Sequence, residues 1–130
     1  MVSHARQEMP NECCGVLLGK NGRVIKLFRT TNSEHSPIRY SIEPNELIKI
    51  YQEMDDHGWE LLGIYHSHLN HEAYPSPFDI KYAYFPQSLY IIISLNDSAQ
   101  PIVRAFYISK GEISEQELKV IVNTGLEHLD

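Results

Sequence analysis

Cysteine is scarce in this chain, and the two that occur, Cys13 and Cys14, are neighbours. Adjacent thiols suit neither a disulfide framework nor a CxxC metal knuckle. They read as small core side chains of a first strand; no motif gives either a His partner for nucleophilic work. Basic clusters are also missing. With a formal charge of −6 and a pI near 5.6, the chain lacks the electrostatic footprint of a nucleic-acid binder. Long apolar runs are absent too, the longest being about Leu89 to Ile93, against the roughly 20 residues of a membrane helix. The N-terminus shows no charged-then-apolar leader pattern, and the expectation is a soluble, cytoplasmic protein with no membrane partner. Repeats, low-complexity tracts and linkers are not found. What remains is 130 residues of 42% hydrophobic composition, which fit one globular domain spanning 1–130.

The elements alternate. Val2 to Glu8 reads as a short helix ending before Pro10. Cys13 to Lys20 and Arg23 to Arg29 read as the arms of a hairpin, joined by Asn21-Gly22, a pair suited to a type I′ turn. Thr30 to Pro37 is polar loop, and Ile38 to Ile42 has the alternation of a short strand. Pro44 opens a helix to about His57, with Gly58 to end it and Leu47, Ile48, Tyr51 and Met54 as its core stripe. Trp59 to His66 is an apolar, buried strand. A helix from Pro77 to about Phe85 is followed by strands at Leu89 to Leu95 and Ile102 to Ile108. Near the end, Ser114-x-x-Glu117 offers a capping box, but a last strand over Ile113 to Val122 is preferred, with a frayed tail from Asn123 to Asp130. The sum is an α/β fold, a mixed, mainly antiparallel sheet flanked by helices.

Within this frame one stretch concentrates chemistry, His66-Ser67-His68 through Ser76-Pro77-Phe78-Asp79. On an extended chain His66 and His68 point to the same side, while Ser67 points away. Ser76 is a good N-cap, Pro77 suits the first helical position and Asp79 falls at N3. A pair of hydrogen-bonded histidines and an acidic capping box would account for each piece alone. Together they offer two imidazole nitrogens and one carboxylate, a three-ligand zinc set with a fourth position left for water. For a proton carrier the pattern alone nominates Glu72, by proximity, or Glu60, by strand parity with His66. Glu60 lies about 20 Å away along the strand, at roughly 3.3 Å per residue.

The arrangement H-S-H, seven residues, S, two residues, D resembles the motif of the JAMM (MPN+) zinc metallopeptidases at every position and both spacings. Pro10-Asn11-Glu12-Cys13-Cys14-Gly15-Val16-Leu17-Leu18-Gly19 is similar to the P-x-E-x-C-G-x-L-x-G opening of small bacterial members. The resemblance spans roughly Glu12 to Val122. It implies a cytidine-deaminase-like fold, one zinc on His66, His68 and Asp79, Glu12 as acid/base and Ser76 at the oxyanion. It further implies cleavage after the C-terminal Gly-Gly tail of a ubiquitin-like or sulfur-carrier protein, bound in a narrow cleft beside a sheet edge.

Three rivals stand beside that reading. His66-Ser67-His68-Leu69-Asn70-His71 is similar to the HxHxDH motif of metallo-β-lactamase-like hydrolases, with Asn70 where an Asp is required. A zinc nucleoside deaminase would need the PCxxC ligands that are missing here. A metal-free MPN-type scaffold would not require the five motif residues.

Overall fold

A computed structural model describes residues 1–120 and gives the order α1 (Val2–Glu8), β1 (Cys14–Lys20), β2 (Arg23–Thr30), α2 (Pro44–His57), β3 (Glu60–His68), α3 (Pro77–Lys81), β4 (Leu89–Ser94), β5 (Ile102–Ser109) and β6 (Glu112–Gln116). The six strands form one sheet in the order β2-β1-β3-β4-β5-β6. Among the described residues only β3 and β4 run parallel; every other pair is antiparallel. The expected mixed α/β class is therefore the observed one.

Strand alternation divides the core between the two faces of the sheet. Val16, Leu18, Ile64, Tyr90, Ile92, Phe106 and Ile108 pack with Ile50 of α2 and Ile80 of α3. Leu17, Tyr65, Ile91, Ile93 and Ala105 pack on the other side with Ala5 of α1. Tyr65 crosses β1 at Gly15, where a Cβ would lie 2.2 Å from the ring. Only glycine permits that crossing, which brings the Tyr65 hydroxyl within 2.7 Å of His4 Nδ1.

The first hairpin turns at Asn21-Gly22, with φ of 54° and 75°, the double positive φ of a type I′ turn. Lys110-Gly111 repeats the device between β5 and β6, with φ of 52° and 79°. Gly58 closes α2 in the left-handed region, its N–H donating to the Met54 carbonyl, as a C-terminal cap does.

Four expectations need correction. Ile38 to Ile42 is no strand; it makes one isolated bridge, Asn32 to Ile42, and the segment instead folds around the Asn32 side chain. The α2 stripe is rotated: Leu47, Ile50 and Met54 turn inward, whereas Ile48 and Tyr51 are exposed, because apolar residues on this helix outnumber the places one face can bury. The α3 helix stops at Lys81, with Tyr82 as its C-cap, short of the Phe85 expected. The last strand ends at Gln116, and residues 117–120 of the expected strand follow it without strand pairing; residues 121–122 and the tail from Asn123 lie outside the described residues. Among those described, no helix is long and apolar enough to cross a membrane.

Candidate metal centre

His66 and His68 lie at the end of β3 on the face covered by α2 and α3, two residues apart and therefore on one side. Asp79 arrives from the first turn of α3. That turn is fixed by reciprocal bonds: Ser76 Oγ accepts from the Asp79 N–H at 3.1 Å, and Asp79 Oδ2 accepts from the Ser76 N–H at 2.9 Å, an acidic capping box. The segment after β3 is tied back to the end of β4, where the Ser94 hydroxyl donates to the His71 carbonyl and the Leu95 N–H to that of His68. These anchors fold the helix start over the strand end.

The three donor atoms converge. His66 Nε2 and His68 Nε2 are 3.1 Å apart, and Asp79 Oδ2 lies 3.2 Å from the first and 3.0 Å from the second. Ligands at the 2.0–2.1 Å typical of zinc would stand about 3.3 Å apart on the edges of a tetrahedron, so this triangle has the dimensions of one tetrahedral face. All three residues are buried and form a group able to hold a metal ion. The donor set, two imidazoles and one carboxylate, is one zinc accepts with a position to spare. His68 Nδ1 lies 2.9 Å from the Glu72 carbonyl, a bond that makes Nδ1 the protonated nitrogen and frees Nε2 for a cation. His66 Nδ1 is buried with no partner.

Electrostatics match this arrangement. Burial pushes the Asp79 carboxyl up, but the His66 and His68 imidazoles and the Ser76 N–H together outweigh it and hold the group well below the usual carboxylate range. Burial likewise favours neutral His66 and lowers its pKa. At His68 burial opposes the charge, yet the bonds to Asp79 and the Glu72 carbonyl prevail and raise it.

Glu12 reaches the same place by strand register. Cys14 pairs with His66 across β1 and β3, so two residues further out Glu12 falls opposite His68. Reciprocal bonds between Cys13 and Ser67 secure that end. Glu12 is 3% exposed and its Oε1 has no hydrogen-bond partner. Burial, with the Asp79 charge adding to it and His68 opposing it, pushes the carboxyl up to about 8. The competing acids are elsewhere: Glu60 is exposed at the far end of β3, and Glu72 is exposed, offering only its backbone carbonyl. His71 is outside the converging group. Cys13 and Cys14 are buried, and burial pushes their thiols up to about 11 and about 12, which removes any thiolate at neutral pH.

Beside Asp79 opens a cavity of about 340 Å³, lined among others by Arg39, Tyr40, Phe78, Tyr82 and Tyr84. Tyr82 and Tyr84 are thus cavity-lining tyrosines, whereas Tyr74 packs edge-on against Phe106. Sequence reasoning missed Tyr40, which lies in the segment expected to be a strand and stacks on His66. Spacing carries no signal for that contact.

A buried His-His-Asp triangle able to hold a metal ion at the end of a central strand, with a glutamate delivered by the neighbouring one, fits an α/β domain of the JAB/MPN class. The chain belongs to the prokaryotic homologues of the JAB domain, the family model matching residues 1–109. It is 37% identical over 123 residues to the CysO-cysteine peptidase of Mycobacterium tuberculosis, covering 93% of this chain and 84% of that protein. It is 33% identical over 121 residues to a probable TtuB-protein conjugate cleaving protease of Thermus thermophilus, covering 92% and 74%. Among solved structures, protein DSY2949 from Desulfitobacterium hafniense superposes with a TM-score of 0.85 at 34% identity, covering 98% of this chain and 90% of that one.

Proposed function

We propose that this chain is a zinc-dependent peptidase or isopeptidase that hydrolyses the amide bond following the C-terminal Gly-Gly tail of a ubiquitin-like or sulfur-carrier protein. The observation that carries the reading is the convergence of His66, His68 and Asp79 to within about 3 Å of one another with a buried glutamate opposite His68. The relatives' names support the substrate class. One is named a CysO-cysteine peptidase and another a probable TtuB-protein conjugate cleaving protease.

Zinc held by the three ligands would supply a Lewis acid and bring a water's pKa to about 7. The chain's own residues do the rest. Glu12, with a carboxyl free of partners, accepts the proton of the attacking water and passes it to the leaving amine. Burial makes this carboxyl a stronger base than an exposed carboxylate, which suits it to proton transfer. Ser76 Oγ already accepts from the Asp79 N–H, which leaves its own O–H to donate to the developing oxyanion.

The strand order bears on where a substrate tail could enter. The sheet edges are β2 and β6, whereas the ligands end the central β3, flanked by β1 and β4. Among the described residues no sheet edge adjoins the ligands, which favours an entry other than edge pairing. The cavity between the 34–42 segment and α3, walled by aromatic rings, adjoins Asp79 and is the proposed entry.

The test is metal analysis together with turnover on the full chain purified without chelator. We expect about one equivalent of zinc, and mass spectrometry should show release of residues appended after a Gly-Gly terminus. A protein that takes up no zinc at pH 7.5 would be a scaffold instead; one that binds zinc and leaves every such tail intact would have a different substrate.

A further inference from the structure

The two imidazoles of the metal centre are oriented by different means. A ligating histidine ordinarily bonds its second ring nitrogen to a carbonyl or carboxylate, which fixes both tautomer and ring angle. His68 follows that rule through the Glu72 carbonyl. His66 does not, because its Nδ1 is buried and unpartnered. Histidine χ2 is a broad torsion, so something else must set the ring. The Tyr40 ring lies on its face, with centroids 4.4 Å apart and planes inclined by 20°.

Tyr40 is in turn held from both sides by one buried amide. Asn32 Nδ2 donates to the Arg39 carbonyl at 3.0 Å, and Asn32 Oδ1 accepts from the Ser41 N–H at 3.1 Å. The same Nδ2 donates to the Glu12 carbonyl at 3.1 Å, and the same Oδ1 accepts from the Glu34 N–H at 3.0 Å. Two N–H groups and two lone pairs are all that a carboxamide has, so Asn32 is fully used. The Glu12 N–H donates to the Ser36 carbonyl, again in this loop. One irregular segment thus grips the peptide groups on both sides of Glu12 and lays a ring on His66.

We propose that Tyr40 is a positioning residue for His66, standing in for the missing hydrogen bond, and that Asn32 is the joint linking this brace to Glu12. The inference rests on the metal-centre reading. Stacking, not the phenol, is the active feature, so Tyr40→Phe keeps the function and Tyr40→Leu loses it.

The test measures zinc affinity of the full chain by competition with a chromophoric chelator, and records the visible spectrum of the cobalt(II) form. Tyr40→Phe should match the wild type. Tyr40→Leu should bind zinc about 10- to 100-fold more weakly, the range typical of lost outer partners, with an altered cobalt spectrum. A merely structural tyrosine would lower the melting temperature of the metal-free protein and leave affinity and spectrum unchanged, and that result overturns the proposal. Should Tyr40→Leu not fold, Asn32→Ser decides, since it keeps the ring and loosens the loop; unchanged affinity and spectrum there overturn it as well. A wild type that takes no zinc would remove the metal centre itself, an outcome distinct from either.

Discussion

His66, His68 and Asp79 sit so close that each variant has a separable consequence. Asp79→Ala removes one corner of the triangle and the acceptor of the Ser76 N–H. It should abolish tight zinc binding, whereas His71→Ala should leave it intact; the reverse, seen by metal analysis, would favour the histidine set of metallo-β-lactamase-like enzymes. Glu12→Gln keeps the shape and removes the base, so turnover should fall by about 10² or more with zinc retained. Glu12 also marks the metal-free protein. Its carboxyl rises on folding from the ordinary 4.5 to about 8, so the folded state binds the proton more tightly than the unfolded one. Its contribution is therefore fully present below about pH 4.5 and lost as pH rises through 8, a change of about 3–5 kcal/mol at most. Urea unfolding of chelator-treated protein should show the wild type losing stability over that window relative to Glu12→Gln. The convergence of His66, His68 and Asp79 was legible because strand parity and helix capping are local rules. Glu12 was not, because its place depends on how β1 registers against β3, which no local pattern encodes, and only the family motif pointed to it.

At the level of elements, α3 owes its position to its cap as much as to its core contact. Ser76→Ala should cost about 1 kcal/mol of stability through the lost cap and, separately, about 3 kcal/mol of barrier through the lost oxyanion donor. Thermal melting and kcat of the zinc-loaded protein read the two effects independently. Gly15→Ala should destabilise by about 1–3 kcal/mol, because Tyr65 cannot yield without leaving His4; an unchanged melting temperature would contradict the crossing. The hairpin was readable from Asn21-Gly22 because a two-residue turn with positive φ suits few sequences. The phase of α2 was not, since Leu47, Ile48, Ile50, Tyr51 and Met54 allow more than one apolar face and tertiary contact chose between them. The same holds for 38–42, whose alternation mimics a strand while Asn32 supplies the bonds a neighbouring strand would have made.

Across the whole molecule, the proposed entry for the substrate tail is the aromatic cavity beside Asp79. A Gly→Val change in the Gly-Gly tail should therefore block turnover, and equal cutting of both tails in a mass-spectrometric assay would remove the argument for a narrow entry. The parallel pairing of β3 with β4 has a wider consequence. Two parallel neighbours cannot be joined by a tight turn, so the chain between His68 and Leu89 must make a return journey. The candidate metal ligand Asp79 and the cavity residues Phe78, Tyr82 and Tyr84 are carried on that journey. Doubling the length of a flexible connection costs only about 0.6 kcal/mol, and the ladder of the sheet is untouched by it. Such a scaffold can be retailored by insertion: lengthening the return between Tyr82 and Leu89, or the segment opposite it, would redraw the cavity mouth and so the repertoire of tails admitted, while the ligand triangle and its glutamate keep their distances.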